Sequence, residues 1–228
     1  MKHAKQYVDC GRFTELRPIL KKWCSLNRLY MNNAEGDCPW WYNERTSIGV
    51  LAAAAWKSGH LALEEFSTLK GRKKDATHGP GRCDLKIRVG SEDFLFEAKQ
   101  SWPRLSKKPG EADIKESRRK ILNSLQRACL AAGRLKSREG RRFGVCFLAP
   151  RISEVEIDNL DKRVDSLIDL LMEKRRMYHS ISWFFANRGN RPNDKHRIYP
   201  GVLLLIKEVH KYQPRKKRSS RKGSLRDA

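Results

Sequence analysis

Glu97 and Lys99 stand two positions apart in the run Phe94 to Trp102, FLFEAKQSW, which is otherwise mostly apolar up to Ala98. Phe94, Phe96 and Ala98 alternate with Leu95, Glu97 and Lys99, a period of two that predicts a strand. Successive strand side chains point to opposite faces, so Glu97 and Lys99 share one. A carboxylate and an ammonium placed this way form either an exposed pair of little energetic weight or part of a chemical site.

A second acid decides what that site could do. CDLKIRV, ending at Val89, reads as the preceding strand, and GSED reads as the turn between the two. Closing that turn with Val89 opposite Phe94 sets Asp84 opposite Lys99. Parity along the first strand puts Asp84 with Lys86 and Arg88, away from Leu85 and Ile87. In this register Asp84, Glu97 and Lys99 converge on one face of a hairpin. Two carboxylates on neighbouring strands repel unless a cation sits between them. Oxygen donors of this kind suit Mg²⁺ or Mn²⁺, which polarise a phosphoryl oxygen and acidify a bound water. The lysine then orients the water or stabilises developing charge.

The pattern CDLKIRV…FLFEAKQ resembles the PD-(D/E)XK nuclease superfamily, with Asp84 at the first acid and Glu97, Ala98 and Lys99 at the (D/E)-x-K. The resemblance covers about residues 43 to 150. It implies an α/β, restriction-endonuclease-like fold, a mixed central sheet flanked by helices. It also implies hydrolysis of phosphodiester bonds, with Asp84, Glu97 and Glu44 holding Mg²⁺ or Mn²⁺ and Lys99 positioning the water. Glu44 resembles the extra acid that many members carry on the helix before the first strand. On bare pattern, Glu44 is also an acid favoured by the dipole of its own helix, in phase with Ile48 and Leu51. The chain departs from the family in two places: Cys83 stands where the motif's Pro would be, and Gln126 is followed by Leu130 where a Gln-x-x-x-Tyr would require Tyr.

Further residues are candidates for nucleic-acid contact. Gln100 follows Lys99. Trp102 either stacks a base or caps its strand. His78 lies in a polar loop. Lys115, Arg118, Arg119, Lys120 and Arg127 mark a basic helix that is either a solvated face or a phosphate-contacting surface without sequence readout. In the tail, Lys216, Lys217 and Arg218 belong to a segment from Lys211 with eight basic residues and one acidic one. Glu64 and Glu65 are adjacent, so one faces inward and the other outward.

These residues need elements to hold them. Asn43 is an N-cap for an Ala-rich helix running to about Lys57. LALEEFSTLKG, CDLKIRV and FLFEAKQSW are three strands. A basic amphipathic helix covers about 111 to 135, and RRFGVCFLAP is a buried strand. Ser153 and Glu156 form a capping box for a helix with Ile157, Leu160, Val164, Leu167, Ile168 and Leu171 on one stripe. SISWFFAN and YPGVLLLIKEV are the last strands. The expected organisation is an N-terminal helical extension over 1–40, in which Pro18 limits any single helix, a nuclease-like domain over 41–210, and a basic disordered tail over 211–228.

The formal net charge is +23 on 228 residues, an excess that favours a polyanionic partner. No apolar run is long enough to cross a bilayer, and the first residues lack a signal-peptide core. The six cysteines have neither CxxC nor zinc-finger spacing, which suggests free thiols in a reducing compartment. The expectation is a cytoplasmic, metal-dependent nuclease acting on nucleic acid, DNA first, with a homodimer compatible. The alternatives are an inactive nucleic-acid-binding module of the same fold and a basic protein of unrelated fold. The absence of the hairpin would favour the latter.

Overall fold

The computed structural model describes residues 3–71, 78–105, 111–136, 140–186 and 196–210, with backbone only at 78 and 111–115. In chain order the elements are β1 (Gln6–Asp9), α1 (Arg17–Asn33), α2 (Glu44–Trp56), β2 (Leu61–Gly71), β3 (His78–Val89), β4 (Glu92–Ser101) and α3 (Glu111–Ala132), followed by β5 (Arg141–Leu148), β6 (Ile152–Ser153), α4 (Leu160–Met172), β7 (Ser180–Phe185), β8 (Arg197–Ile198) and β9 (Gly201–Val209). Seven strands make one mixed sheet in the order β1-β7-β9-β5-β4-β3-β2, and β6 pairs with β8 separately. Only β4 and β5 run parallel within it, as their connection through α3 requires.

Each face of the sheet is covered. Phe94, Phe96 and Ala98 of β4 join Ile48, Leu51 and Ala55 of α2 and Leu20 and Trp23 of α1 in one core. The opposite core takes Ile121 and Leu125 from α3, and Val164, Leu167, Ile168 and Leu171 from α4, against Cys146, Leu203 and Leu205 of the sheet. A small third cluster holds Cys83, Leu95 and Leu135, with Phe66 against it. Among the described residues no helix is long and apolar enough to cross a membrane.

Three expectations change. Residues 3–40 are built into the sheet and its core and are not an appendage. β1 pairs with β7 at the sheet edge, and α1 gives Ile19, Leu20 and Trp23 to the first core. Pro18 lies in the first turn of α1, where its missing N–H leaves no bond unmade, so it begins the helix and does not limit it. Ser153 does not cap an α-helix. It pairs with Arg197 in the β6–β8 ladder, a 3-10 turn follows at Glu154–Glu156, and α4 starts only after Asn159, whose φ is +60°. The expected tail over 211–228 lies outside the described residues.

The hairpin register also differs. Ile87 pairs with Phe94 and Val89 with Glu92, two residues along from the expected pairing. The reason is the turn: Gly90, at φ +60°, and Ser91 alone connect the strands, and glycine in a left-handed conformation permits so tight a connection. A shift of two preserves side-chain parity. Carried one step past its last pair, Leu85↔Phe96, this register would set Asp84 level with Glu97 in place of Lys99.

Candidate active site

The site forms where β3 leaves β4. Their ladder stops at Leu85↔Phe96. On the other side of β3 the pairing with β2 runs through Glu64↔Leu85 and Phe66↔Cys83, skipping Glu65, which takes φ +50°. Alternation breaks at the same level. Leu85 and Ile87 enter the core beneath α2, whereas Cys83 packs with Leu95 and Leu135. Glu65 is held in this uncommon conformation between Arg45 at 3.6 Å and Arg82 at 3.4 Å. Backbone outliers of this kind cost free energy and cluster at functional sites. Asp84 sits at the break, and its Oδ2 accepts a hydrogen bond from the Ala98 N–H at 2.8 Å. The carboxylate thus takes the place of the strand backbone that has turned away.

Glu97 lies beside it and is 3% exposed. Burial, and then the charge of Asp84, push its carboxyl up to about 7, while Lys70 and Lys99 pull the other way. Part of that burial comes from Gly144, its neighbour across the parallel ladder. A Cβ at Gly144 would lie 2.4 Å from the Cys129 backbone nitrogen of α3, so glycine there lets the helix backbone close over the sheet. Lys70 Nζ stands 2.6 Å from Glu97 Oε1, as an ion pair off the directed hydrogen-bond geometry. Its stem crosses Gly81, where a Cβ would come within 2.9 Å of it.

Lys99 does not pair with Glu97. Its Nζ donates to Glu44 Oε1 at 2.9 Å and to the Ala98 carbonyl. Glu44 Oε2 accepts the Gln100 N–H at 3.1 Å. Glu44 opens α2, and Asn43 caps that helix by accepting the Thr46 N–H at 3.0 Å. The helix start therefore fixes the group that holds Lys99. Gln100 points to the other face. It accepts from the Ser47 hydroxyl and donates to the Trp40 carbonyl, each at 2.8 Å, so its side chain ties α2 and the 3-10 turn Pro39–Trp41 to the strand.

Asp84, Glu97 and Lys99 thus sit on adjoining strands, and Glu44 meets Lys99 from the helix. Among the described residues, no three His, Cys, Asp or Glu side chains are grouped to hold a metal ion. Two acids do lie together, Asp84 and Glu97, close enough for the charge of one to raise the carboxyl of the other, while Glu44 is engaged by Lys99. The Asp84 and Glu97 pair fits Mg²⁺ or Mn²⁺ in chemistry: hard oxygens, one buried and one at a ladder break, mutually repelling. Mg²⁺ is commonly bound through one or two carboxylates, with waters and substrate phosphates completing its shell. None of the six cysteines is in a disulfide. Burial and the Glu97 charge push Cys83 up to about 12, so it remains a neutral thiol.

The other candidates separate. Gln100, Trp102 and Arg127 line one groove of about 500 Å³ beyond the end of β4, along with Trp41, Tyr42 and Lys120. Arg119 pairs with Glu116 at 2.8 Å on an exposed face of α3, and Arg118 is half-buried on the same helix. Glu64 approaches Gly49 of α2, and its carboxyl is raised by burial and by Glu65. Lys216, Lys217, Arg218 and the side chain of His78 lie outside the described residues. Lys70 and the wall of Trp41 and Tyr42 escaped the sequence reading. The available signals were Lys70 and Gly81 on strands destined to pair, and the aromatic cluster PWWY before the Asn43 cap.

No protein family, no curated protein and no solved structure matches this chain at a significant level.

Proposed function

We propose that this protein is a metal-dependent nuclease of the PD-(D/E)XK type on a restriction-endonuclease-like fold, hydrolysing phosphodiester bonds, with DNA as the expected substrate. One observation carries the reading. Asp84 caps the Ala98 N–H where β3 departs from β4, with buried Glu97 beside it and Lys99 held by Glu44. A buried carboxylate beside a second one is unfavourable for a fold, and it is what a cation site needs.

Asp84 and Glu97 would hold Mg²⁺ or Mn²⁺. When bound, the ion supplies charge to a phosphoryl oxygen and lowers the pKa of a water. Lys99 orients that water and stabilises charge developing on the phosphate. Glu44 fixes the lysine's direction through a 2.9 Å hydrogen bond, and its grip on the Gln100 N–H keeps helix and strand in register. Lys70 neutralises Glu97 before an ion arrives. The net charge of +23 draws the polyanion.

The second reading is an inactive nucleic-acid-binding module. It is favoured by Lys70, whose ammonium already stands against Glu97. A divalent-ion titration of cleavage on labelled DNA and RNA separates the two. The nuclease cuts with Mg²⁺ or Mn²⁺ and stops on chelation. Binding with no cleavage at any ion concentration leaves the inactive module.

A further inference from the structure

The groove beyond β4 has two unlike walls. One is aromatic: Trp41, Tyr42 and Trp102. Trp102 is 38% exposed and Tyr42 51%. Two of the three rings are held in place, since Trp41 meets Tyr42 edge to face at 5.5 Å and the Tyr42 hydroxyl donates to Asp37 at 2.9 Å. The other wall is cationic, with Lys120 and Arg127 from α3 and Arg151 after β5.

This combination has a specific partner in nucleic-acid chemistry. An open ring face binds the π-face of a base, and neighbouring cations take its phosphates. In a duplex those faces are stacked inside the helix, and only base edges are offered in the grooves. The groove neighbours the proposed site along β4, although Asp84, Glu97, Lys99 and Glu44 do not line it. Gln100 lines it, and the Gln100 N–H is bonded to the Glu44 that holds Lys99. Trp102 is three residues beyond Lys99, roughly 10 Å along an extended strand.

We propose that this groove receives an unpaired nucleotide next to the phosphodiester to be cut, so that the preferred substrate is a single strand or a junction or end with an unpaired base, not a closed duplex. The proposal rests on the nuclease reading for the word substrate, but the binding preference stands without it. Trp41, Tyr42 and Trp102 stack the base, and Lys120, Arg127 and Arg151 hold the backbone. Such a surface is tolerant of sequence, because every base has a π-face.

The test is binding by the full chain in EDTA at moderate salt. Fluorescent single strands of DNA and RNA are titrated by anisotropy alongside the corresponding duplexes of equal length. The single strand of at least one sugar type should bind about tenfold tighter than its duplex. Trp102→Ala and Tyr42→Ala should each weaken the single strand by about tenfold, in the lower part of the usual range for one stacked base, and leave the duplex unchanged. Trp102→Phe, which keeps a ring face, should stay within about threefold of the parent and guards against a folding defect in the alanine variant. Equal affinity for strand and duplex overturns the proposal, as does an equal loss on both from the alanine variants. The two readings fail separately. A strand preference without cleavage at any divalent-ion concentration removes the nuclease and leaves this groove assigned. Cleavage without any strand preference does the reverse.

Discussion

β4 and β9 are both interior strands of one sheet, flanking β5 on either side, yet they are built on different rules. From Val202 to Ile206 every β9 residue is apolar and buried. Val202, Leu204 and Ile206 enter the core under α1 and α2, and Leu203 and Leu205 enter the opposite one. β4 gives Phe94, Phe96 and Ala98 to the first core in the same manner, but its other face carries Leu95, Glu97 and Lys99. β9 keeps its pairing with β5 from Leu203 to Val209, whereas β4 loses β3 after Phe96. β9 is what a central strand becomes when packing alone selects its residues. β4 gives up apolar burial at two positions and a stretch of ladder. It holds the resulting polar groups with Lys70, Glu44 and the Ala98 N–H.

If the contrast is one of chemistry against packing, mutations in the two strands should fail in different assays. The largest expected effect is in β4. Lys99→Ala should lower single-turnover cleavage by at least about a hundredfold, the cost typical of removing one positioned electrostatic group. Its unfolding midpoint should move little, because the Lys99–Glu44 pair is partly exposed on both sides. Full activity in Lys99→Ala would remove the catalytic assignment and leave a structural pair. In β9, Leu204→Ala should cost about 2–5 kcal/mol in denaturant unfolding, while the fraction that remains folded cuts at the parental rate. A β9 variant that is stable but inactive would erase the distinction between the strands.

The pH dependence sharpens the comparison on β4 alone. The folded carboxyl of Glu97 is raised to about 7 from an ordinary value of 4.5. The native state therefore holds this proton more tightly than the unfolded chain does. The stability so gained is full below about pH 4.5 and is lost as pH rises through about 7. Over that window the change is roughly 3 kcal/mol. Asp93 and Glu208, whose carboxyls are lowered, act in the opposite sense, so the informative quantity is the parent minus Glu97→Gln. That difference should decline from pH 4.5 to 7.5 in chelator. Divalent ion should diminish the decline, since it favours the ionised carboxylate. A difference that is flat with pH would mean that Glu97 ionises normally and that its burial is relieved by Lys70 alone.

The site was legible in the sequence to the extent that it depends on parity. Alternation in FLFEAKQSW gives the faces of Glu97 and Lys99, and a hairpin shift of two residues keeps parity as far as the ladder runs, whereas the break in alternation between Cys83 and Leu85, where Asp84 sits, has no local signal. The register itself was not legible, because GSED admits both a four-residue turn and the two-residue Gly90–Ser91 turn that forms. The partners of the charges were hidden for a different reason. Lys70 reaches Glu97 from a strand beyond β3, a contact set by how β2 and β3 bend at Glu65 and Asp84, which no local period encodes. β1 was missed because four residues, QYVD, are too few to display a period. Their pairing with β7 and the stacking of Tyr7 on Trp183 at 4.3 Å are tertiary effects. Asn43, by contrast, was readable, since capping is local chemistry.

That cap supplies the smallest expected effect and connects the two halves of the comparison. Asn43 Oδ1 accepts the Thr46 N–H at 3.0 Å and the Thr46 hydroxyl at 3.2 Å. The next residue, Glu44, holds both Lys99 and the Gln100 N–H. Asn43→Ala leaves a helix-end donor without its partner and should cost about 1 kcal/mol of stability. Asn43→Ser, which restores an acceptor oxygen, should recover most of it. Because Glu44 is also held by β4, the first turn of α2 should fray only slightly, and cleavage should fall by less than about fivefold. Calorimetric unfolding and single-turnover cleavage on the same three proteins read both quantities. If cleavage collapsed in Asn43→Ala while stability dropped by only about 1 kcal/mol, then the helix start, and not the β4 backbone, would be what fixes Glu44 on Lys99. The chemistry assigned to β4 would then depend on α2 as much as on the strand itself.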